Sequence, residues 1–375
     1  MIIKKLTKLS DTSHKGIKYA LLLTFVLFLG VSSLRAQHEE KNTEHEPATE
    51  KKFDPGHFIF DHIGDAYEWH ILTIGHKHIS LPLPVIVYSK EKGLNVFMSS
   101  KFHHGHESYK GFKIENDEKS PNKGKIVETL ADGSVVRPID ISITKNVLSL
   151  FFSVALLMWI FISVANAYKK NKGKAPKGMQ SFFEPLIIFI RDDIAKASIQ
   201  KNPEKYMPYL LTIFFFIFLN NLLGLVPIIP GGANLTGNIT ITMALALFTF
   251  IITTINGNKA YWTHMVNTPG VPWWLKIPIP LMPIVEIMGM FTKPFVLMVR
   301  LFANITAGHI IVLGFYSLIF IFGEKNIFAG YGISVVSIAF TIFMSMLELL
   351  VAFIQAYVFT LLSALYFGMA TEEHH

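Results

Sequence analysis

Apolar residues in this chain fall in long blocks separated by short polar stretches, and the block lengths decide the reading. Residues 146–168 form a first run, closed by Lys169, Lys170, Lys172, Lys174 and Lys177; residues 209–229 and 240–255 form a second and a third. About 20 helical residues cross a bilayer core of roughly 30 Å, so each run reads as one span. The connection 230–238 is short and rich in Gly and Asn, which predicts that the second and third spans form a tight helical hairpin. Residues 179–200 differ. They interleave Phe182, Phe183, Leu186, Ile187, Phe189, Ile190 and Ile194 with Glu184, Arg191, Asp192, Asp193 and Lys196, the pattern of an amphipathic helix lying along the interface. Lys259 and Lys276 then fall in a loop with Trp262, Trp273 and Trp274 at interfacial positions.

The last third carries two apolar runs, 281–322 and 333–367, separated by the breaks 323–326 and 330–332. As helices they would be about 60 and 50 Å long, against a core of roughly 30 Å. Pro283 and Pro294 could kink the first, whereas no proline interrupts the second. The pattern predicts two long, strongly tilted helices folded as an antiparallel hairpin. The fold class is therefore an all-α polytopic membrane protein with about five membrane helices, an amphipathic interfacial helix and a small extra-cytoplasmic N-terminal segment.

Composition agrees and adds an orientation. The 375 residues are 51% hydrophobic and include 32 Phe, and the mean hydropathy of +0.41 is too high for an ordinary soluble domain. The net charge of +7 fits lysine-rich cytoplasmic loops; without basic patches interleaved with aromatics, nucleic acid is not an expected partner. Zero cysteines exclude disulfides and thiolate metal sites. Lys4, Lys5, Lys8, Lys15 and Lys18 precede a short apolar stretch at 19–29, followed by Ser32, Ser33 and Ala36; residues 1–36 read as a signal peptide cleaved after Ala36. Residues 37–145 would then be extra-cytoplasmic, and residues 146–375 the membrane domain. The first span would run inward to its lysine cluster, as the positive-inside rule requires. The N-terminus is thus placed outside after cleavage and the C-terminus in the cytoplasm, in a bacterial inner membrane. Ten of the 15 histidines lie in 37–145, including His76, His78, His103, His104 and His106. Their spacing matches no defined metal motif, so this segment reads as a solvated, histidine-rich cap, with short strands at 85–89 and 135–143.

Arg300 is the most costly residue in this arrangement. The chain has only four arginines, and this one lies inside an apolar stretch, 292–323, whose only charged or imidazole companions are Lys293 and His309. A guanidinium cannot escape burial by losing its proton, and at the centre of a membrane helix it costs roughly 3 kcal/mol on insertion scales. Such a residue reads as functional. In an antiparallel pair, residues at one level have numbers with a constant sum, here about 655 for a turn near 323–332. Arg300 then lies level with Gln355, and His309 nearly level with Glu348. Glu286, Lys293 and Arg300 recur every seven residues on one helical face, with Asn304 close to it, while His309 points to the opposite side. This predicts two separate polar regions flanking a positive barrier. No carboxylate of this chain is level with Arg300, so its acid is expected on another subunit.

These residues resemble subunit a of F-type ATP synthases. The resemblance is carried by Arg300, Leu301, Phe302, Ala303, Asn304, Gly308 and His309; by Glu348 and, seven residues later, Gln355; and by Asn220, Asn221, Gly224 and Pro227 ahead of Asn238, Thr240 and Thr242. It extends over roughly residues 140–375, including the ending around Tyr366. The resemblance implies a proton-translocating stator subunit that itself catalyses no covalent reaction and holds no cofactor. Its implied partners are the c-ring, the b-subunit peripheral stalk and the catalytic head. Arg300 would be the arginine that draws a c-ring carboxylate into its ionised form and blocks leak between two offset half-channels. His309 and Glu348 match the access-channel pair, with acid and imidazole exchanged between the helices relative to some members. Asn304 and Gln355 match polar positions beside the arginine, and Glu286 the exit-side acid. Asn221, Asn238, Thr240 and Thr242 would help line the access side. The long extra-cytoplasmic segment departs from the common family pattern. The alternative reading is a self-contained secondary transporter or ion channel, but no inverted repeat supports it. An intramembrane enzyme lacks any motif: there is no His-Glu-x-x-His and no cysteine nucleophile.

Overall fold

Ahead of the first apolar run, the chain folds into a helix and short strands. The computed structural model describes residues 53–74, 77–105, 107–117, 120–130, 133–171, 173–226, 232–266 and 281–372. The expected signal peptide, His76, His106, Lys172, Pro227, Trp273, Trp274 and Lys276 lie outside the described residues. Asp54 starts helix α1 (Pro55–Ile63) by accepting the Gly56 and His57 amides, and Gly64 ends it. Strand β1 (Glu68–Ile74) pairs with β2 (Lys77–Pro82); β3 (Pro84–Ser89) lies between β4 (Gly93–Met98) and β8 (Ile139–Asp140); β6 (Ile126–Thr129) lies between β5 (Phe112–Ile114) and β7 (Val135–Val136). All pairings are antiparallel.

Alternation along β3 buries Val85 and Val87 completely and leaves Tyr88 facing outward, the period of two that a strand imposes. Val85 and Val87 join Tyr67, Phe102, Phe112 and Ile126 in a small core. The Tyr67 hydroxyl donates to Asp140 on β8. The expected strand at 85–89 is present as β3, whereas 135–143 holds only the two-residue strands β7 and β8, in different sheets and separated by Arg137 and Pro138. The expectation of a solvated cap with a minor β element nonetheless understates this region. Several strands are only two to four residues long, too short for alternation to register in the sequence.

Among the described residues, five helices are long and apolar enough to cross a membrane. Thr144 caps α2 (Lys145–Lys170). Helix α3 (Met179–Phe189) continues into a widened π turn (Ile190–Lys196) that buries Ile190, Ile194 and Ala195 fully. On its outer side Asp192 pairs with Arg191 (2.8 Å) and Lys196 (2.8 Å); these two cations hold its carboxyl well below the usual carboxylate range. Helices α4 (Met207–Leu225) and α5 (Ile239–Asn256) answer to the second and third runs, the first of them four residues shorter at its end than 209–229 suggested. They are not the tight hairpin expected: the Tyr209 hydroxyl reaches across to Thr249 (2.7 Å), while each helix packs mainly on the long C-terminal helices, whose apolar faces offer the larger surface. The short α6 (Lys259–Val266) follows, then α7 (Leu281–Lys325) and α8 (Ile327–Thr371), each 45 residues long.

Both long helices are continuous, and Pro294 sits inside α7 without ending it. At about 68 Å each, they fit a bilayer core only if inclined or projecting beyond it. The turn between them is shorter than the expected 323–332. Asn326 alone makes it, with its side chain capping α8 through the Phe328 amide, while Gly330 and Gly332 are already helical. Gly330 packs against Gly323 so closely that an added Cβ would lie 2.8 Å from the Gly323 Cα. Further down, Phe340 stacks on Phe315 (5.2 Å) and the Lys293 ammonium lies 5.7 Å from the Tyr366 ring. The antiparallel ladder therefore runs close to the expected register. The Phe53 amide donates to Glu324 (3.0 Å), which puts the strand-rich region at the Asn326 end. The Asn258 amide donates to Ala370 O (2.9 Å), so the α5–α6 junction meets the opposite end.

Candidate functional site

Arg300 lies on the outside of the α7–α8 pair. It is exposed, as are its neighbours Phe295, Val296, Val299 and Asn304, and it makes no ion pair with any described carboxylate. It lies in electrostatic reach of Tyr366 on α8. Gln355, placed level with it by the ladder, is 6% exposed and turns into the protein. A guanidinium on an apolar outward face is not a stable end state in hydrocarbon; it calls for a partner surface.

Thirteen and a half ångströms further along α7 by helical rise (about 1.5 Å per residue), His309 and Glu348 face one another across the hairpin. The Glu348 carboxyl rests on Gly308: a Cβ there would meet its Cγ at 3.1 Å and overlap Oε1. The His309 ring lies over Gly224 of α4, whose added Cβ would be 3.6 Å from Nε2. Two glycines, one on each side, are what give the imidazole and the carboxyl their room. Both side chains line a cavity of about 350 Å³ with Asn234, Tyr316, Thr341 and Ser345. Thr341 Oγ1 and Asn234 Nδ2 are buried without a protein partner among the described residues, and the cavity they border has room for water to satisfy them. A space of about 10 Å³ between His309, Glu348, Asn221 and Asn304 continues toward the arginine, enough for about one water.

A second cavity, of about 250 Å³, opens at the other end of the hairpin. Glu286 and Lys293 of α7 line it with Tyr261 and His264 of α6, Met369 of α8 and Glu372 just past its end. Burial first, and then Glu286, raise the Tyr261 hydroxyl above the usual phenol range. Arg300 borders neither cavity. It stands seven residues beyond Lys293 and nine before His309, so the two cavities are offset along α7 with the cation between them.

The remaining expected residues take mainly structural places. Asn221 donates to Ala352 O (3.2 Å) and accepts from Thr236 (2.6 Å), clamping α4 to α8 and to the 232–238 connection. Asn238 caps α5 by accepting the Thr240 amide (3.0 Å). Thr240 is exposed, and Thr242 is fully buried with its hydroxyl on Ile239 O (3.0 Å); none of these three lines either cavity. Sequence reasoning missed His62, Tyr316, Thr341 and Ser345. Tyr316 is seven residues after His309 and Thr341 seven before Glu348, a two-turn spacing that could have found them; nothing in the sequence brings His62 to this wall. Among the described residues no three His, Asp or Glu side chains cluster as a metal site would need; His104 instead contacts Glu68 (2.7 Å).

Comparison with known proteins assigns two parts of the chain. The family described as ATP synthase A chain matches residues 147–368, and a domain of unknown function matches residues 58–146. Similar proteins include an ATP synthase subunit a of Chloroherpeton thalassium, 47% identical over 244 residues that cover 63% of this chain and 69% of that one. An ATP synthase subunit a 2 of Prosthecochloris aestuarii is 48% identical over 244 residues (63% and 71%). In Myxococcus xanthus an ATP synthase subunit a is 41% identical over 259 residues (67% and 79%).

Proposed function

The chain belongs to the ATP synthase A chain family, and from this we propose that it is the stator subunit through which protons reach and leave the rotor of an F-type ATP synthase. The cavity at His309 and Glu348 is the access half-channel, and the cavity at Glu286 and Lys293 is the exit half-channel. Between them Arg300 meets the carboxylate of each passing c subunit, favours its ionised form, and repels a proton that would cross directly. The observation that carries this reading is the position of Arg300: exposed, without an acidic partner among the described residues, and bordering neither of two offset cavities. Its partners are the c-ring on that exposed face, the b-subunit stalk and the catalytic head; the chain itself makes and breaks no covalent bond.

The lysine cluster after α2 sets the sides. Residues 37–145 and the Asn326 turn lie outside the cytoplasm, and the C-terminus lies inside, in the bacterial inner membrane. The division into a separate N-terminal region and a membrane domain is supported by the meeting of the two family matches at residues 146 and 147.

The test is Arg300→Ala in the intact complex. It should assemble with the c-ring and catalytic head yet drive no ATP-dependent proton pumping in inverted vesicles. Full pumping would remove the core of the mechanism, and purification of the wild-type chain without a c-ring would favour a self-contained transporter.

A further inference from the structure

We propose that helix α1, from the strand-rich N-terminal region, forms the outer wall of the access half-channel, and that His62 at its end collects protons for it. This rests on reading the His309–Glu348 cavity as that half-channel. The 350 Å³ cavity is bordered by His62 and Ile63 as well as by the membrane helices. Helix α1 is fastened on both sides. At its start, Phe53 donates its amide to Glu324, and the Phe53 and Phe58 rings pack on Phe320 of α7 (5.1 and 5.9 Å). Just beyond its end, Asp65 accepts the Asn146 amide (3.1 Å) and Ala66 accepts the Lys145 amide (2.9 Å), tying the chain to the first turn of α2.

The protonation chemistry of His62 is set by its own helix. Nδ1 is 2.9 Å from Phe58 O. A carbonyl can only accept, so Nδ1 carries hydrogen in both charge states and Nε2 is the atom that gains and loses the proton. The ring packs on Phe58 (4.4 Å) and is exposed to solvent. From His62 the polar wall continues inward. Tyr316 leads to His309 on α7, and Thr341 through Ser345 leads to Glu348 on α8, each pair spanning two helical turns or about 10.5 Å. Other titratable groups nearby are His57 on α1, Asp65 just after α1, Glu324 and Lys325 at the end of α7, and Lys145 at the start of α2, with Lys145 in electrostatic reach of His309.

A collector is useful because free protons are scarce. With a diffusion ceiling on the order of 10¹⁰ M⁻¹ s⁻¹, direct delivery at pH 8 is on the order of only 10² per second. An imidazole can take a proton from buffer on one ring nitrogen and hand it on from the same atom.

The experiment uses the complete complex in liposomes, with ATP synthesis driven at fixed membrane potential while the pH on the access side is varied. For His62→Gln, the rate relative to wild type should fall about fivefold between pH 6 and pH 8.5, and millimolar imidazole on the access side should restore it. A ratio constant across this range, or a loss that imidazole leaves unchanged, would overturn the inference. A second variant, His62→Cys, tests the wall itself. This chain has no other cysteine, so a bulky, membrane-impermeant, cationic thiol reagent added on the access side should slow synthesis beyond its effect on the wild-type complex; equal effects would place α1 away from the proton path. Glu348→Gln separates the layers. If it is slow while His62→Gln matches wild type, only the role of His62 falls; if Glu348→Gln also matches wild type, the half-channel reading falls with it.

Discussion

The Glu348 carboxyl on α8 lies directly against Gly308 on α7, at a point where any side chain larger than hydrogen would occupy its space. The two helices are thus held at one level by a contact that also fixes the carboxyl beside His309. The position of the Glu348 carboxyl is coupled to the packing of the α7–α8 hairpin, and a change in one is felt by the other.

Gly308→Ala should therefore impair function without removing any ionisable group. The added methyl must push the carboxyl away from its place, and repacking of this kind typically costs about 1–3 kcal/mol. Synthesis rates should drop while the complex keeps its subunits; wild-type rates would show that the carboxyl can shift at no cost.

Glu348→Gln keeps the shape and removes the proton-exchanging group. Proton uptake should slow roughly tenfold, which corresponds to about 1.4 kcal/mol in the barrier, while ATP hydrolysis stays coupled to pumping. Measured passive proton flux through the membrane sector is the readout, and unchanged flux would end the access-channel assignment.

Asn221→Ala should act on stability. It breaks the bond to Ala352 O and the bond from Thr236, and buried side-chain bonds in membrane helices contribute about 0.6 kcal/mol on average and up to roughly 1.7. A lower unfolding temperature for the detergent-solubilised complex, with residual activity retained, is the expected outcome.

Tyr67 offers a pH test outside the membrane. Burial first, and then its bond to Asp140, push its hydroxyl well above the usual phenol range. A raised folded pKa means that the contribution is complete below the unfolded value of about 10 and is lost as pH rises through the folded value. The strand-rich region should accordingly keep its hydrogen-exchange protection up to about pH 10 and lose it above. Tyr67→Phe should weaken protection at neutral pH too, by removing a bond to a charged acceptor worth about 1.5–3 kcal/mol.

Much of the membrane fold was legible because hydrocarbon leaves so few choices. The five apolar runs correspond to five helices, and the constant-sum ladder of the last two already places His309 near the level of Glu348. The shortfalls have distinct causes. Asn238 was expected beside the channel on the family resemblance alone; its side chain caps α5 by accepting the Thr240 amide, a use that a motif match does not reveal. The widened turn at Ile190–Lys196 depends on how Ile190 and Ile194 reach the common core, and helical periodicity carries no trace of that.

The sequence by itself determined the class of the protein, the number and order of its spans, and the cost of Arg300. Each follows from local terms: the length of an apolar run, the permanent charge of a guanidinium, the rise of a helix. Only the tertiary structure decided that Arg300 faces outward between two cavities, that Gly224 and Gly308 make room for His309 and Glu348, and that α1 reaches the cavity wall. Those facts depend on contacts between residues as far apart as Phe53 and Glu324, and a contact across 271 positions is set by packing in three dimensions.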